Sequence, residues 1–278
     1  MTRKRQPKQS SSIQSVERAL DILFLLADAI TPLTVAQIAE RLNVHNSTAS
    51  RLLSTLAKQN VVIQSRDGYR LGLGLLRLTH VVLNEMRIRT VARPHLQRLC
   101  QTTGRTIYLA TLFEGDELYL DQVEPEDAAS STNWIGRTIP AHTASGGKVL
   151  LAHLSDDEIA AYLERGLVAA TRNTITSPDE LQAQLAGVRE RGYAISQDEY
   201  LVGFSNVAAP IFDPARKSIA VVALSGPTAQ LSVAKLQELA PLVVATANAI
   251  SIELGFNLNG QGKQHGPRRS STYRLTHH

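Results

Sequence analysis

Residues 34–73 read TVAQIAERLNVHNSTASRLLSTLAKQNVVIQSRDGYRLGL, and this stretch decides the fold of the first part of the chain. Its apolar residues recur first at helical spacing and then in two short runs that are typical of strands. A short helix, a tight turn, a second helix and a hairpin follow one another in the order of a winged helix-turn-helix. Each piece is common alone, but the complete order is rare, and it predicts a module that reads DNA.

The two helices of this stretch are marked by their first residues and by one polar face. Thr34 and Gln37 have the spacing of a capping box, which satisfies free backbone N–H groups at a helix start. The second helix starts near His45 or Asn46, with apolar residues on one side and polar residues on the other. A polar face alone indicates only solvation, but in this context it suits a helix lying in a major groove. We expect this recognition helix to contact bases or phosphates through His45, Asn46, Ser47, Thr48, Ser50 and Arg51.

The hairpin that follows is predicted to be the wing. Two short strands, at residues 61–63 and 69–71, are joined through Arg66, Asp67 and Gly68. An Asp-Gly pair favours a tight turn between antiparallel strands. Exposed side chains of a wing can reach phosphate groups. The wing residues expected to contact DNA are Arg66, Asp67 and Arg70.

The charge of the chain is unevenly distributed along its length. The 278 residues carry a net charge of +4, but residues 1–90 carry +7 and residues 91–254 carry −7. This division fits an attraction to phosphate that is confined to one end. Residues 1–12 have no apolar period and are predicted to be a disordered basic arm, which either follows the DNA backbone or only aids solubility.

Several classes of protein are excluded by composition. The chain has no run of about 18 uninterrupted apolar residues, and charges interrupt its first apolar helix, so we expect neither a membrane span nor a signal peptide. These features predict a cytoplasmic protein. The single cysteine, Cys100, excludes internal disulfides and cysteine-based zinc fingers. The histidines are scattered without ligand spacing, so no metal or cofactor is expected.

Helices on either side of residues 34–73 complete the N-terminal part. A helix at residues 15–28 is predicted to cover the recognition helix through Val16, Leu20, Leu23 and Leu26. After the wing, residues 75–88 repeat apolar residues at near-helical spacing with no partner strand, which indicates a connecting helix. Its apolar side needs a partner, and a second copy of the chain is the simplest one.

The rest of the chain alternates helices and strands. Two strands separated by a short turn imply antiparallel pairing. Helix starts are marked by Ser155 and Ser177, each with a capping box. Pro94 is expected in the first turn of its helix, and Pro241 is expected to kink or break the last helix. The predicted strands are residues 106–113, 117–123, 193–196, 206–212 and 219–225, and the helices around them include residues 91–102 and 233–254.

Six segments along the chain carry a resemblance to a known family. They read SVERALDIL, STASRLL, GYRLG, PAHTASGGKVLLA, GYAISQDEYLVGFSNVAAPIFD and ALSGP. Their order and spacing resemble those of the IclR family of bacterial transcriptional regulators, over about residues 12–256. The resemblance implies a homodimer or a dimer of dimers, with an N-terminal winged helix-turn-helix and a C-terminal effector domain of GAF-like fold that binds a small metabolite.

The fold class predicted for the chain is α+β, in which helices flank the antiparallel sheet of the effector domain. The expected divisions are a disordered arm at residues 1–12, the winged helix-turn-helix at 13–74, a linker helix at 75–90, the effector domain at 91–256 and a disordered tail at 257–278.

A loop of small residues that leads into a helix, residues 140–148, is the candidate effector site. The N–H groups of Ser145 and Gly146 lie at the positive end of that helix, where a carboxylate binds readily. In the family such amides hold the acid group of the ligand. Members that bind small oxo-acids have a carboxylate near the position of Ser196 and a hydroxyl near that of Ala223. This chain has neither, so we expect a different acid. The resemblance also places four further residues in the cavity, namely Ser196, Asn206, Ala223 and Ser225.

Two other functions are compatible with part of the sequence. Ser145 and Lys148 have the SxxK spacing in which a lysine activates a serine nucleophile, so a serine hydrolase is one alternative. No SDN or KTG motif follows, and we expect Lys148 on the surface or in an ion pair. A small-molecule sensor that does not bind DNA is the other alternative.

The function favoured by the sequence is not enzymatic. We expect a ligand-responsive, sequence-specific regulator of a catabolic pathway, which senses a small organic acid and binds a near-palindromic operator in double-stranded DNA. The sequence leaves open whether the protein represses or activates transcription.

Overall fold

The computed structural model of the protein describes residues 13–126 and 132–257, apart from the side chains of residues 83–85. The chain divides into two units, Met1–Met86 and Arg87–His278. The predicted basic arm at residues 1–12 and the predicted tail from residue 258 onward lie outside the described residues. Both units combine helices with antiparallel strands, so the predicted α+β class is confirmed.

The first unit consists of helices and a two-stranded hairpin. Its elements are α1 (Gln14–Asp28), α2 (Val35–Arg41), α3 (Asn46–Lys58), β1 (Val62–Ser65), β2 (Gly68–Leu71) and α4 (Gly74–Glu85). Ile22 of α1, Ile38 of α2 and Leu53 of α3 are fully buried and form the centre of its core. This arrangement is the winged helix-turn-helix that residues 34–73 predict.

One helix start of the first unit agrees with the sequence, and one buried face does not. The capping box of α2 is present, because the Gln37 N–H donates to Thr34 Oγ1 at 3.3 Å and the Thr34 N–H donates to Gln37 Oε1 at 2.9 Å. In α1, Leu26 is buried and Leu23 is partly buried, as predicted, whereas Val16 and Leu20 are half exposed, contrary to the prediction, and Ile22 is fully buried. The apolar residues of α1 form more than one stripe, and the stripe with Ile22 is the one that packs against α3 and β2.

The wing turns more tightly than predicted. Its turn consists of Arg66 and Asp67, and Gly68 is the first residue of β2 rather than part of the turn. Leu33 pairs with Tyr69 through two hydrogen bonds of 2.7 and 3.0 Å. A Cβ atom on Gly68 would lie 2.6 Å from the carbonyl oxygen of Leu33. The glycine is therefore required by this close approach of two backbones, and its positive φ of 138° agrees with that.

The second unit is an antiparallel sheet flanked by helices, as predicted. Its elements are α5 (Arg87–Thr103), β3 (Thr106–Phe113), β4 (Asp116–Val123), β5 (Thr138–Pro140), a 3₁₀ helix (Ala141–Thr143), α6 (Ser145–Ala152), α7 (Asp156–Glu164), α8 (Pro178–Arg191), β6 (Ala194–Gln197), β7 (Phe204–Phe212), β8 (Ser218–Pro227) and α9 (Val233–Glu253). The strand order is β5-β4-β3-β8-β7-β6, and neighbouring strands are antiparallel.

Helices cover both faces of this sheet. Val221 and Ala223 of β8 belong to a buried cluster that includes residues of α6, α7 and α8. Val222 and Leu224 point to the opposite face, because side chains alternate along a strand, and they are buried where α5 and α9 pack. The predicted capping box at Ser155 is present at the start of α7. At the start of α8, one half of the predicted box is formed, in which the Ser177 hydroxyl accepts a hydrogen bond from the Glu180 N–H.

The pairing of β3 with β4 contains an irregularity that changes the side to which part of β4 points. Leu109 pairs with Asp121 and Ala110 pairs with Tyr119, which leaves Leu120 as an extra residue in β4, a β-bulge. The extra residue reverses the side to which the following residues point. Asp121 therefore faces α5, although Tyr119 faces the other side of the sheet.

Two prolines, Pro94 and Pro241, lie inside helices of the second unit. The sequence predicts Pro94 in the first turn of its helix and a kink or break at Pro241. α5 begins at Arg87, so α4 ends short of the predicted range 75–90 and Pro94 lies in the interior of α5. α9 continues past Pro241 as one helix, so the break does not occur. In both helices, packing against the sheet outweighs the hydrogen bond that proline cannot donate.

Asp121 anchors the first turns of α5. Its side chain is fully buried, and its carboxylate binds Arg89 at 3.4 Å and Arg93 at 2.6 Å. These ion pairs hold the turn before Pro94 against β4. The early start of α5 thus depends on a contact with a strand that is distant in sequence, so helical periodicity alone does not predict it.

Candidate nucleic-acid interface and ligand cavity

The recognition helix α3 and the wing present the predicted polar residues to solvent. Ala49 and Leu53, on the other side of α3, are fully buried. The predicted DNA-contacting residues are exposed, except Thr48, which is half-buried. They are His45, Asn46, Ser47, Thr48, Ser50 and Arg51 at the start of α3, and Arg66, Asp67 and Arg70 on the wing.

The cations of this surface are available to a partner. His45 is the N-cap residue of α3, and its side chain makes no capping hydrogen bond. In the described part of the first unit, Arg51, Arg66 and Arg70 take part in no ion pair. Charges that are not neutralised within the protein can displace the counterions of DNA phosphates, which is the main source of affinity in protein–DNA complexes. The geometry of α3 and the wing therefore suits binding to double-stranded DNA.

The second unit contains a cavity of about 630 Å³ between its sheet and the start of α6. Five of the six predicted effector-binding residues line this cavity, namely Ser145, Gly146, Asn206, Ala223 and Ser225. The sixth, Ser196, does not line it: its hydroxyl donates to the carbonyl oxygen of Thr143 at 3.3 Å. The reason is the sheet order, because Ser196 pairs with Asn206 from the edge strand β6 and so lies one strand farther out.

One wall of the cavity is aromatic, and the sequence analysis did not identify it. The ring centroids of Tyr108 and Tyr119 are 5.2 Å apart, those of Tyr119 and Trp134 are 5.5 Å apart, and those of Trp134 and Tyr200 are 5.9 Å apart. All four side chains line the cavity. Only 5% of the chain is aromatic, and this low average hides a local concentration. A faint signal was the tyrosine in each of the two predicted neighbouring strands.

The start of α6 is less free than the sequence predicts. The N–H of Ser145 is already occupied, since it donates to Asn206 Oδ1 at 2.9 Å. The N–H of Gly147 donates to Glu117 Oε2 at 2.7 Å. Among the described residues, the N–H of Gly146 and the hydroxyl of Ser145 have no hydrogen-bond partner. The predicted pair of open amides is therefore an open amide and an open, fully buried hydroxyl.

Glu117 brings a carboxyl group into this region from β4. Its side chain is 1% exposed and lines the cavity. Burial raises the pKa of Glu117 from 4.5 to about 7, although the hydrogen bond from Gly147 opposes that shift. A Cβ atom on Gly146 would lie 2.1 Å from Glu117 Oε1. A side chain at position 146 would therefore force the Glu117 carboxyl group to move.

Lys148 is in an ion pair, but deep inside the protein rather than on its surface. Its Nζ atom lies 2.7 Å from Glu199 Oε1 and 3.1 Å from Gln184 Oε1, and the side chain is fully buried. A lysine that activates a serine must reach the hydroxyl of that serine. Here the ammonium group is bound by Glu199 while the Ser145 hydroxyl has no partner among the described residues. The SxxK arrangement is therefore not formed.

The described residues contain neither a cluster of metal-binding side chains nor a helix suited to cross a membrane. No group of three or more His, Cys, Asp or Glu residues in residues 13–126 and 132–257 is placed to hold a metal ion. Over the same residues, none of the helices is both long and apolar enough to cross a membrane.

Comparison with known proteins identifies the family of the chain. Residues 15–66 match the family model described as the IclR helix-turn-helix domain, and residues 80–252 match the one described as bacterial transcriptional regulator IclR C-terminal. The HTH-type transcriptional regulator XynR of Escherichia coli K12 is 34% identical over 247 residues, which are 88% of this chain and 98% of that protein.

Solved structures give the same result. An IclR transcriptional regulator from Alicyclobacillus acidocaldarius superposes with a TM-score of 0.78 at 28% identity, covering 88% of this chain and 100% of that one. An IclR homologue from Microbacterium hydrocarbonoxydans, crystallised with 4-hydroxybenzoate, superposes with a TM-score of 0.73 at 26% identity, covering 86% of this chain and 98% of that one. The chain belongs to the IclR family, and it is a DNA-binding transcriptional regulator rather than an enzyme.

Proposed function

We propose that this regulator controls a catabolic pathway by binding near-palindromic operator DNA as a homodimer or dimer of dimers, and that a small aromatic acid in the cavity changes that binding. Residues 13–74 bind DNA, residues 75–90 link the two activities, and residues 91–256 bind the effector. The observation that carries the proposal is the aromatic wall beside the unpaired polar groups of Ser145 and Gly146.

The cavity has the size and lining of a small-molecule site. Its volume of about 630 Å³ falls in the usual range for ligand sites, ~300–1,000 Å³. Stacked and edge contacts with aromatic rings stabilise an aromatic ligand. Arg105 is the cation among the described residues that line the cavity, and it can meet the acid group. The complex of the Microbacterium homologue with 4-hydroxybenzoate supports the same class of effector.

Two exposed apolar faces in the first unit support a dimer. On α1, Val16, Leu20 and Phe24 are 52%, 50% and 67% exposed, and on α4, Leu78 and Val82 are 63% and 53% exposed. Exposed apolar side chains grouped at helical spacing are typical of surfaces that bind another protein. A two-fold dimer would place two copies of α3 in major grooves about 34 Å apart, which is why the operator is expected to be near-palindromic.

The effector acts only if it prefers one arrangement of the DNA-binding heads. Binding shifts the population towards the arrangement for which the ligand has the higher affinity. A bacterial transcriptional regulator acts where the chromosome lies, so we place the protein in the cytoplasm.

The only tryptophan of the chain provides the test, because Trp134 lines the cavity. A panel of aliphatic and aromatic acids is titrated against the full-length protein, and Trp134 fluorescence and operator footprints are recorded. We expect aromatic acids to change the fluorescence at micromolar to millimolar concentrations and to change operator protection. Tyr200→Ala should weaken the fluorescence response, whereas Tyr193→Ala, outside the cavity lining, should not. The proposal is wrong if no acid in the panel changes either signal.

A further inference from the structure

A buried carboxyl group occupies the place where this cavity would otherwise attract the acid group of a ligand. The start of a helix ordinarily favours a carboxylate, but Glu117 supplies one from the protein itself through its 2.7 Å hydrogen bond from the Gly147 N–H. Within the described residues, Glu117 has no cationic partner within ion-pair distance. An acid group placed beside Gly146 would therefore share a small space with a second carboxyl group, and the two could not both be ionised without repulsion.

The neighbouring unpaired atoms point to a different chemical group. Ser145 lines the cavity, and its fully buried hydroxyl has no hydrogen-bond partner among the described residues. The N–H of Gly146, next to it, is also open. These two groups can donate hydrogen bonds, whereas the Glu117 carboxyl accepts one through an oxygen and, when protonated, can also donate one. A group that both donates and accepts satisfies all three, and a hydroxyl is the smallest such group.

The proposal rests on the proposed function and specifies its ligand further. We propose that Glu117 is a specificity-determining residue of the effector cavity, whose carboxyl group accepts a hydrogen bond from a hydroxyl on the aromatic effector and excludes a carboxylate from the start of α6. The effector is then a hydroxylated aromatic acid. Its hydroxyl lies between Glu117, Ser145 and Gly146, and its carboxylate lies towards Arg105.

The test compares matched probes with matched variants in the full-length protein. The probes are benzoate, the three isomeric hydroxybenzoates and the three isomeric benzene dicarboxylates, and the readout is Trp134 fluorescence. Wild-type protein should bind at least one hydroxybenzoate about tenfold or more tightly than benzoate and than every dicarboxylate, as expected when a polar site is left unpaired or meets a like charge.

Two variants test the role of the individual side chains. Glu117→Gln keeps an oxygen for the Gly147 N–H and should bring a dicarboxylate within about threefold of the preferred hydroxybenzoate. Ser145→Ala should weaken the preferred hydroxybenzoate severalfold and leave benzoate unchanged. Glu190→Gln, at an exposed position of α8, is the control and should retain the wild-type order.

The possible outcomes separate this inference from the proposed function. If wild-type protein binds a dicarboxylate as tightly as any hydroxybenzoate, or if Glu117→Gln keeps the wild-type order, Glu117 does not determine specificity. Should Glu117→Gln fail to fold, the wild-type order and the Ser145→Ala result decide the question. If none of the probes binds wild-type protein, the proposed aromatic effector is wrong and this inference falls with it.

Discussion

Replacing Glu117 by glutamine should make the second unit more stable, by an amount that depends on pH. Burial raises the pKa of Glu117 from 4.5 to about 7 in the folded protein, so the folded state holds the proton more tightly than the unfolded chain does. The protonated carboxyl is tolerated below about pH 4.5. Between about pH 4.5 and 7 the unfolded chain loses this proton while the folded state keeps it, so stability is lost over that range and changes little above it. Glutamine has no proton to lose, and its amide oxygen can still accept the hydrogen bond from Gly147.

The expected magnitude follows from that difference in pKa. A difference of one in pKa corresponds to about 1.4 kcal/mol, so the ionised group costs about 3 kcal/mol at high pH. The advantage of Glu117→Gln over wild type should grow by about 2.5 kcal/mol between about pH 5 and about pH 8.5. The side chain is almost fully buried, so solvent screening does not reduce this figure much.

Urea unfolding followed by Trp134 fluorescence measures this difference directly. Trp134 is the single tryptophan and lies in the second unit, so the transition reports on that unit. Glu190→Gln, an exposed substitution of the same chemistry, should follow the wild-type pH dependence. Parallel curves for wild type and Glu117→Gln across this pH range would refute the reasoning, because Glu117 would then titrate alike in the folded and unfolded states.

Two further predictions concern the other sites. Arg51→Ala should weaken operator binding by about 1–3 kcal/mol and relax its sequence preference if Arg51 contacts a base, or weaken binding to all DNA sequences equally if it contacts phosphate. Gel shifts at two salt concentrations distinguish these results, with the exposed Arg172→Ala in the second unit as the control. Unchanged binding would remove Arg51 from the interface. Lys148→Met should lower the free energy of unfolding of the second unit by about 3–5 kcal/mol, because Glu199 is left as an uncompensated buried charge. Adding Glu199→Gln should restore part of that loss in the same urea experiment, and an undiminished loss in the double variant would contradict the account.

The sequence predicts best those features whose signals are local. The start of α2 at Thr34 depends on a residue three positions away, and the predicted strand at residues 106–113 coincides with β3. Binary patterning and capping are short-range properties, so they are visible in one sequence. Five of the six residues assigned to the cavity by resemblance to the family also line it.

The features that escaped prediction depend on contacts between distant segments. Trp134 contacts both Tyr119 and Tyr200 because a sheet and a loop bring them together, and no periodicity links their positions. The amide of Ser145 is occupied by Asn206, 61 positions away, so a helix start that looks open in sequence is partly closed in the fold. The predicted position of Pro94 in a first turn is wrong because Asp121, from another element, holds the preceding turn in the helix.

The extra residue in β4 gives one strand two duties. Glu117 and Tyr119, which precede Leu120, point into the cavity. Asp121, which follows it, points to the other side of the sheet and forms ion pairs with the first turns of α5. A molecule that displaced this strand would therefore also move Asp121 and the ion pairs that hold the first turns of α5, the helix with which the second unit begins. A substitution that removed the bulge without changing the length of β4 would put Asp121 on the same side of the sheet as Tyr119 and turn the anchor towards the cavity, even though Asp121, Arg89 and Arg93 were still present.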